Sequence, residues 1–378
     1  MTSDDNTHII SSRSEKDPAE LPVQKLRGAL VPPRTDDLIL KWAESFVIAV
    51  PTLFDKNGTW WSWNFDAYQY EETDETELLN GLRNGHDFLG DNLLRQKRLF
   101  VTALELVARE RKPPELPACM IQFKETIYNI DTGETRDILK EDGMPKFFTT
   151  NAVPHKIGET EDTPTLDYLF SSWVGKENVQ TLYELVAYCC YRAYPIHIIA
   201  VLNGSGRNGK GSFLKILKNF LGENNLASTD LDLLSNNRFE TYNIFRKLGA
   251  LMTETNFDVL KKTSVIKALS GDDLIRYEKK GHTTINEYSY AKLLIATNSL
   301  PQSEDNTDGF FRRWLILDFP NQFELGKDVT LSIPEEEYEN LAKKVTRILP
   351  ELLERGRFTG QGTVAEQKQK YLETSNPF

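Results

Sequence analysis

The stretch that decides the fold runs Ile198-Ile199-Ala200-Val201-Leu202, then Asn203-Gly204-Ser205-Gly206-Arg207-Asn208-Gly209-Lys210-Gly211-Ser212, then Phe213, Leu214, Ile216, Leu217 and Phe220. Its first five residues are a short, β-branched apolar run, the pattern of a buried strand. The closing apolar residues recur at three- and four-residue intervals, which gives a helix with one apolar stripe. Between them lies a glycine-rich loop ending in Gly209-Lys210. Strand, glycine loop, Gly-Lys and helix together form the context of a phosphate loop.

The chemistry explains the composition. Glycines let backbone N–H groups turn around a polyphosphate and approach it closely. The loop empties onto a helix N-terminus, whose dipole favours an anion. Lys210 supplies a mobile positive charge for the β and γ phosphates of ATP. The pattern G-x-x-x-x-G-K-[ST] holds from Gly204 to Lys210, but Gly211 stands where the metal-ligating hydroxyl is expected. Ser212, one place later, is therefore expected to serve Mg²⁺, directly or through a water it orients.

Downstream residues fit the same chemistry. Lys247-Leu248-Gly249-Ala250-Leu251-Met252-Thr253-Glu254 reads as a second buried strand with Glu254 as its terminal carboxylate, placed to orient metal or activate water. Ala291-Lys292-Leu293-Leu294-Ile295-Ala296-Thr297-Asn298 reads as a third, ending in an amide that can hold water or sense a γ-phosphate. Arg312-Arg313 precede a fourth strand, Leu315–Phe319, and are candidates for a charge that stabilises phosphoryl transfer from a neighbouring subunit. Asp230 and Asp232, with no third carboxylate beside them, read as a loop or helix cap rather than a metal pair.

Upstream, Leu38, Ile39, Leu40, Trp42, Ala43, Phe46 and Val47 recur at helical spacing. Trp60, Trp61, Trp63, Tyr68 and Tyr70 flank the turn Lys56-Asn57-Gly58 as a hairpin, with core packing favoured over base stacking. Residues 73–110 read as two helices. Met120–Phe123 and Thr126–Ile130 read as strands before the turn Asp131–Glu134, and Lys146–Thr150 as a further strand. Leu166–Trp173 and Val179–Arg192 read as helical.

The chain has 378 residues, enough for two or three domains. Its 45 basic and 56 acidic residues give a net charge of −11, which excludes a protein devoted to coating nucleic acid. Cys119, Cys189 and Cys190 contain no Cys-x-x-Cys pair, so a disulfide scaffold, a zinc ribbon and a zinc knuckle are excluded. No run is apolar enough to span a bilayer and the N-terminus is polar, which points to a reducing, cytoplasmic setting.

The phosphate loop, Glu254, Asn298 and Arg312-Arg313 together resemble the superfamily 3 helicases. More narrowly, Gly204–Lys210, Leu269-Ser270-Gly271-Asp272-Asp273, Ala296-Thr297-Asn298-Ser299-Leu300-Pro301 and Arg312-Arg313 are similar to the primase–helicases of phages, plasmids and large DNA viruses. Ile121-Gln122-Phe123-Lys124 and Tyr128–Glu134 resemble the domain that precedes the motor there.

The resemblance implies an α/β fold: an AAA+ motor with a parallel sheet flanked by helices, an α+β domain before it and short helices after it. The expected division is a tail at 1–35, the α+β domain at 36–175, the ATPase at 176–325 and helices at 326–378. It further implies ATP and Mg²⁺, Glu254 as Walker B acid, Asn298 as sensor, Arg313 or Arg312 as a trans-acting finger, and a hexameric ring. Such a ring moves on single-stranded or forked DNA, 3′→5′ by family analogy, with a primase as possible partner. Relatives often continue into a winged helix beyond the position of Phe378.

A hairpin between acid and sensor strands carries the DNA contact in that family. Here Leu274–Ile285 reads as strand, turn and strand, with Lys279, Lys280 and His282 near the tip. Between Arg246 and Lys280 there are eight basic and five acidic residues, a local excess of positive charge in an acidic chain. A ring ATPase that packages or loads DNA without separating strands, and a nucleotide-binding regulator without turnover, are the competing readings.

Overall fold

The computed structural model describes residues 36–85, 93–110, 112–253, 259–260, 262–324, 326 and 328–375. The tail expected at 1–35, the carboxylate of Glu254 and the last three residues lie outside them. The chain divides into two compact units: residues to Phe54 together with Thr73–Arg111, and Asp55–Glu72 together with Lys112–Phe378.

In the first unit, the apolar spacing read from Leu38 onward becomes the helix Asp36–Ala49. Its Ala43, Phe46 and Val47 are buried, as are Phe100, Leu104 and Val107 of the helix Leu93–Glu110. Trp42 and Phe100 bring their rings to 4.2 Å. The other helix expected over 73–110 is Glu75–Gly85.

The second unit opens with a turn in which Asp55 N donates to Thr59 O at 3.0 Å, and Gly58 takes φ +82°. Strands β1 (Trp60–Asn64) and β2 (Gln69–Thr73) follow as neighbours in one sheet. Trp60, Trp61 and Trp63 are 3–6% exposed, so these rings are core, and Trp61 lies edge-on to Phe148 at 5.4 Å. Strands β3 (Met120–Phe123), β4 (Thr126–Asn129) and β5 (Thr135–Asp137) form an antiparallel meander. The strand expected over Lys146–Thr150 does not form. That segment makes only an isolated bridge, Glu115 to Phe148, because its backbone groups bond to three separate places, Ile138, Pro114–Leu116 and Tyr70, rather than along one partner strand.

Two helices, α1 (Pro164–Val174) and α2 (Val179–Cys189), lead to the central sheet. Its strands are β6 (Ile199–Asn203), β7 (Leu226–Ser228), β8 (Gly249–Met252), β11 (Lys292–Thr297) and β12 (Trp314–Asp318). Helix α3 (Lys210–Leu221) follows β6. Between β8 and β11 runs the ribbon of β9 (Leu274–Tyr277) and β10 (Ile285–Tyr288).

The sheet order is β12-β6-β11-β8-β7, and every adjacent pair is parallel. Its strands read as continuous apolar runs because a parallel sheet is covered on both faces. β8 and β11 are buried at every position. Even Lys292 at the start of β11 is wholly buried, its ammonium donating to the carbonyls of Tyr191, Ala193 and Tyr290 at 2.6, 2.9 and 2.8 Å.

Helices α4 (Glu335–Arg355) and α5 (Val364–Ser375) close the chain. Glu337 of α4 accepts the Thr165 and Leu166 amides at the first turn of α1, both at 3.0 Å, and so satisfies donors that a helix start leaves free. Among the described residues no helix is long and apolar enough to cross a membrane.

Candidate functional site

Crossing from β6 to β11 puts two strand ends side by side at the carboxyl edge of the sheet, where open α/β sheets leave a crevice. The glycine loop occupies that edge. Gly206, Arg207 and Gly209 all have positive φ (101°, 51° and 96°), a backbone form that produces anion-binding concavities. Gly209 is followed at once by Lys210, the first residue of α3.

The loop is held from three sides. Gly204 N donates to Thr297 O at 3.2 Å. Asn208 donates from Nδ2 to Phe319 O at 3.2 Å, and Phe323 N donates to Arg207 O at 2.8 Å, so the segment after β12 straps the loop. Gln322 Nε2 adds a bond to Ser205 Oγ at 2.9 Å. Beneath, the ring of Trp173 from α1 lies where a Cβ on Gly209 would stand, 2.5 Å away. A Cβ on Gly204 would meet Asn208 Nδ2 at 1.9 Å. The sequence motif shows the glycines; Trp173, and Phe319 O at 2.7 Å from a Cβ on Gly204, crowd them from elsewhere in the chain.

Lys210 and Asn298, 88 residues apart, converge. Lys210 Nζ donates to Gly204 O at 2.5 Å, Asn208 Oδ1 at 3.1 Å and Asn298 Oδ1 at 3.3 Å. Burial lowers the pKa of Lys210 below the ordinary lysine range. Around them is an open cleft of ≈ 620 Å³, whose lining includes the loop, Ser212, Thr253 and Asn298. An ammonium, a helix N-terminus and a left-handed loop facing one cleft suit an anion with several oxygens.

Gly211 is exposed, and a Cβ there would meet nothing within 4 Å. Ser212 is half-buried on the same cleft. Thr253, directly after β8, is the last described residue before Glu254. Among the described residues no cluster of three or more His, Cys, Asp and Glu could hold a metal. Asp230 is the cap expected of it, accepting from Leu233 N at 2.7 Å.

The two arginines part company. Arg313 is buried: Nε donates to Ser270 Oγ at 3.2 Å, Nη2 to Lys267 O at 3.5 Å and Nη1 to Gly309 O. It thereby ties the carbonyl end of the helix Ser264–Leu269 to the helix Asp308–Phe311. Arg312 is exposed. Arg313, the first choice for a reaching group on sequence order, is committed internally, and Arg312 is the arginine free to extend. Arg313→Ala is expected to cost about 2–3 kcal/mol by stranding those acceptors, whereas Arg312→Ala should leave stability within about 0.5 kcal/mol. Thermal melting of both variants checks this, and equal losses would refute the assignment.

The β9–β10 ribbon pairs Leu274 with Tyr288 and Tyr277 with Ile285. Lys280 and His282 are exposed at its tip. Lys279 is half-buried, ion-paired with Glu72, with its ammonium 5.1 Å from the centre of the Tyr242 ring. Tyr242 Oη also donates to Glu72, at 3.0 Å. Of the three, Lys280 and His282 are thus exposed and Lys279 is paired.

Residues 202–313, from the end of β6 to Arg313, match DUF5906, a family of unknown function. Among curated proteins none matches the chain. The apo structure of the NrS-1 C-terminal region is similar, with TM-score 0.60 and 14% identity over 91% of this chain and 76% of that one. The A-form apo structure of the same region gives TM-score 0.53 and 15% identity over 86% and 72%. At such identity the likeness to the C-terminal region of NrS-1 is one of fold alone.

Proposed function

We propose that this chain is an ATP-driven motor of the superfamily 3 helicase type, an AAA+ ring that moves on single-stranded DNA during replication of a mobile element or virus. The observation that carries the reading is the convergence of Lys210 and Asn298 on one cleft beside the glycine loop. In this reading the loop amides and Lys210 hold the β and γ phosphates of ATP. Asn298 orients the attacking water, and Glu254 takes its proton. Lys210, released from Gly204, Asn208 and Asn298 when phosphate arrives, exchanges neutral acceptors for charged ones and binds them more strongly.

Ser212 and Glu254 would hold Mg²⁺; a hydroxyl and a carboxylate suit this hard cation, which when bound neutralises charge on the β and γ oxygens. If Ser212 has that task, Ser212→Ala lowers turnover and Gly211→Ser restores much of it, because the space beside Gly211 is open. Measuring the magnesium dependence of turnover in both variants and the double variant tests this. Full activity of Ser212→Ala alone removes the assignment.

Arg312 is proposed as the finger that enters the neighbouring subunit's site, worth about 10³–10⁵ in turnover by analogy with such arginines. The units proposed for the chain remain a tail (1–35), an α+β assembly or DNA-engaging domain (36–175), the ATPase (176–325) and terminal helices (326–378). A hexamer acting on forked DNA in the cytoplasm, with 3′→5′ polarity and a primase as possible partner, completes the proposal.

The test is ATP turnover with and without single-stranded DNA, followed by unwinding of a fork. DNA-stimulated, Lys210-dependent hydrolysis with strand separation supports the motor. Hydrolysis without unwinding would move the reading to a packaging or loading ATPase, and absence of hydrolysis by an assembled ring to a regulator.

A further inference from the structure

The tip of the β9–β10 ribbon is not its only open surface. Strand alternation sends Ile275, Tyr277 and Ile285 inward, and leaves Leu274, Arg276, Asn286 and Tyr288 on one outward face. Leu274 is 60% exposed and Tyr288, directly across the ladder from it, 59%. Two large apolar side chains facing water as a cross-strand pair, with an arginine two residues along, are costly to leave uncovered unless something binds there. The neighbouring Arg238 and Phe239 repeat the pattern: the guanidinium lies 4.7 Å from the centre of its neighbour's ring, and that ring is 41% exposed.

One carboxylate joins the two sets. Glu278 is ion-paired with both, its Oε1 2.8 Å from Arg276 Nε and its Oε2 3.4 Å from Arg238 Nε, while both guanidinium groups stay largely exposed. A guanidinium carries five donors, so each arginine keeps several for another acceptor while Glu278 fixes its position. The exposed acids Asp272 and Asp273 stand before Leu274, at the end of the ribbon away from the tip. Toward the tip the balance is positive, with Arg276, Arg238 and Lys280 against the shared Glu278.

We propose that this outward face is a track for single-stranded nucleic acid, with Tyr288 and Phe239 stacking bases and Arg276 and Arg238 meeting phosphates. The proposal rests on the single-strand reading given above and extends it from tip charges to a stacking surface. Charge complementarity selects the occupant: aromatic faces bind any base, and interleaved arginines follow the backbone, the combination used for strands read without sequence preference.

Binding of the full chain to a labelled oligothymidylate and to an abasic strand of equal length tests it, at several salt concentrations and with the assembly's mass measured in parallel. Tyr288→Ala should weaken the oligothymidylate about fivefold to a hundredfold and leave the abasic strand unchanged. Tyr288→Phe, which keeps the ring, should bind as the parent does. Arg276→Ala should weaken both strands and reduce the salt slope by about 0.7. If Lys280→Ala weakens binding while Tyr288→Ala and Arg276→Ala do not, the track is overturned and the tip reading survives. If the parent binds neither strand, both fall together. If Tyr288→Ala breaks up the assembly, the face is a contact between copies, and the track is again overturned.

Discussion

Lys210→Ala is expected to lower ATP turnover by about 10²–10³-fold, the scale on which removal of one preorganised charge-stabilising donor acts. The ammonium sits where the loop meets the end of β11, within 3.3 Å of acceptors on Gly204, Asn208 and Asn298. Asn208 and Asn298 line an open cleft, so water can replace the lost donor there. The stability cost should therefore stay near 1 kcal/mol. Turnover and thermal melting, measured on one preparation, separate the two effects. Retention of more than about a tenth of parent activity would be too small a loss for this scale and would remove the cleft from the proposed chemistry.

Gly209→Ala should be a severely damaging single-methyl change. The residue has φ +96°, and its new Cβ would lie 2.5–2.6 Å from the indole of Trp173. Trp173 is itself 3% exposed and packed beside Phe170, so it has nowhere to go. Left-handed strain of about 1–2 kcal/mol and overpacking of about 1–3 kcal/mol together predict a loss of about 2–5 kcal/mol. The loop that presents Lys210 would shift with it, so nucleotide affinity falls too.

Gly211→Ala, two residues later, is the control. It meets nothing within 4 Å and gains up to about 1 kcal/mol from helix propensity. Denaturant melts of the pair give the answer: similar stabilities for the two would mean that the Trp173 contact does not hold the loop.

Four strands of the central sheet, β6, β8, β11 and β12, were legible because each is a predominantly apolar run, and the glycine loop because its composition has few other uses; β7 was not, since Leu226-Ala227-Ser228 is too short to carry a pattern. The ribbon was legible from alternation around Gly281. Lys146–Thr150 misled because Phe147-Phe148 is the right composition for a strand, whereas the backbone there bonds to Ile138, Pro114–Leu116 and Tyr70 in turn and finds no single partner strand. Arg312 and Arg313 could not be told apart by sequence, since neighbouring residues of one type differ only in which way the backbone turns them.

By itself the sequence determined the local chemistry: a buried strand, a loop that can curl around phosphate, a lysine at a helix start, and polar residues ending other strands. These follow from φ freedom, side-chain branching and periodicity, which act over a few residues. Only the tertiary structure decided that β11 lies next to β6, so that Asn298 meets Lys210, and that Trp173 and Phe319 clamp the loop. It also committed Arg313 and left Arg312 free. Those outcomes depend on strand order and side-chain packing between segments far apart in the chain, and no local preference encodes which strand becomes the neighbour of which.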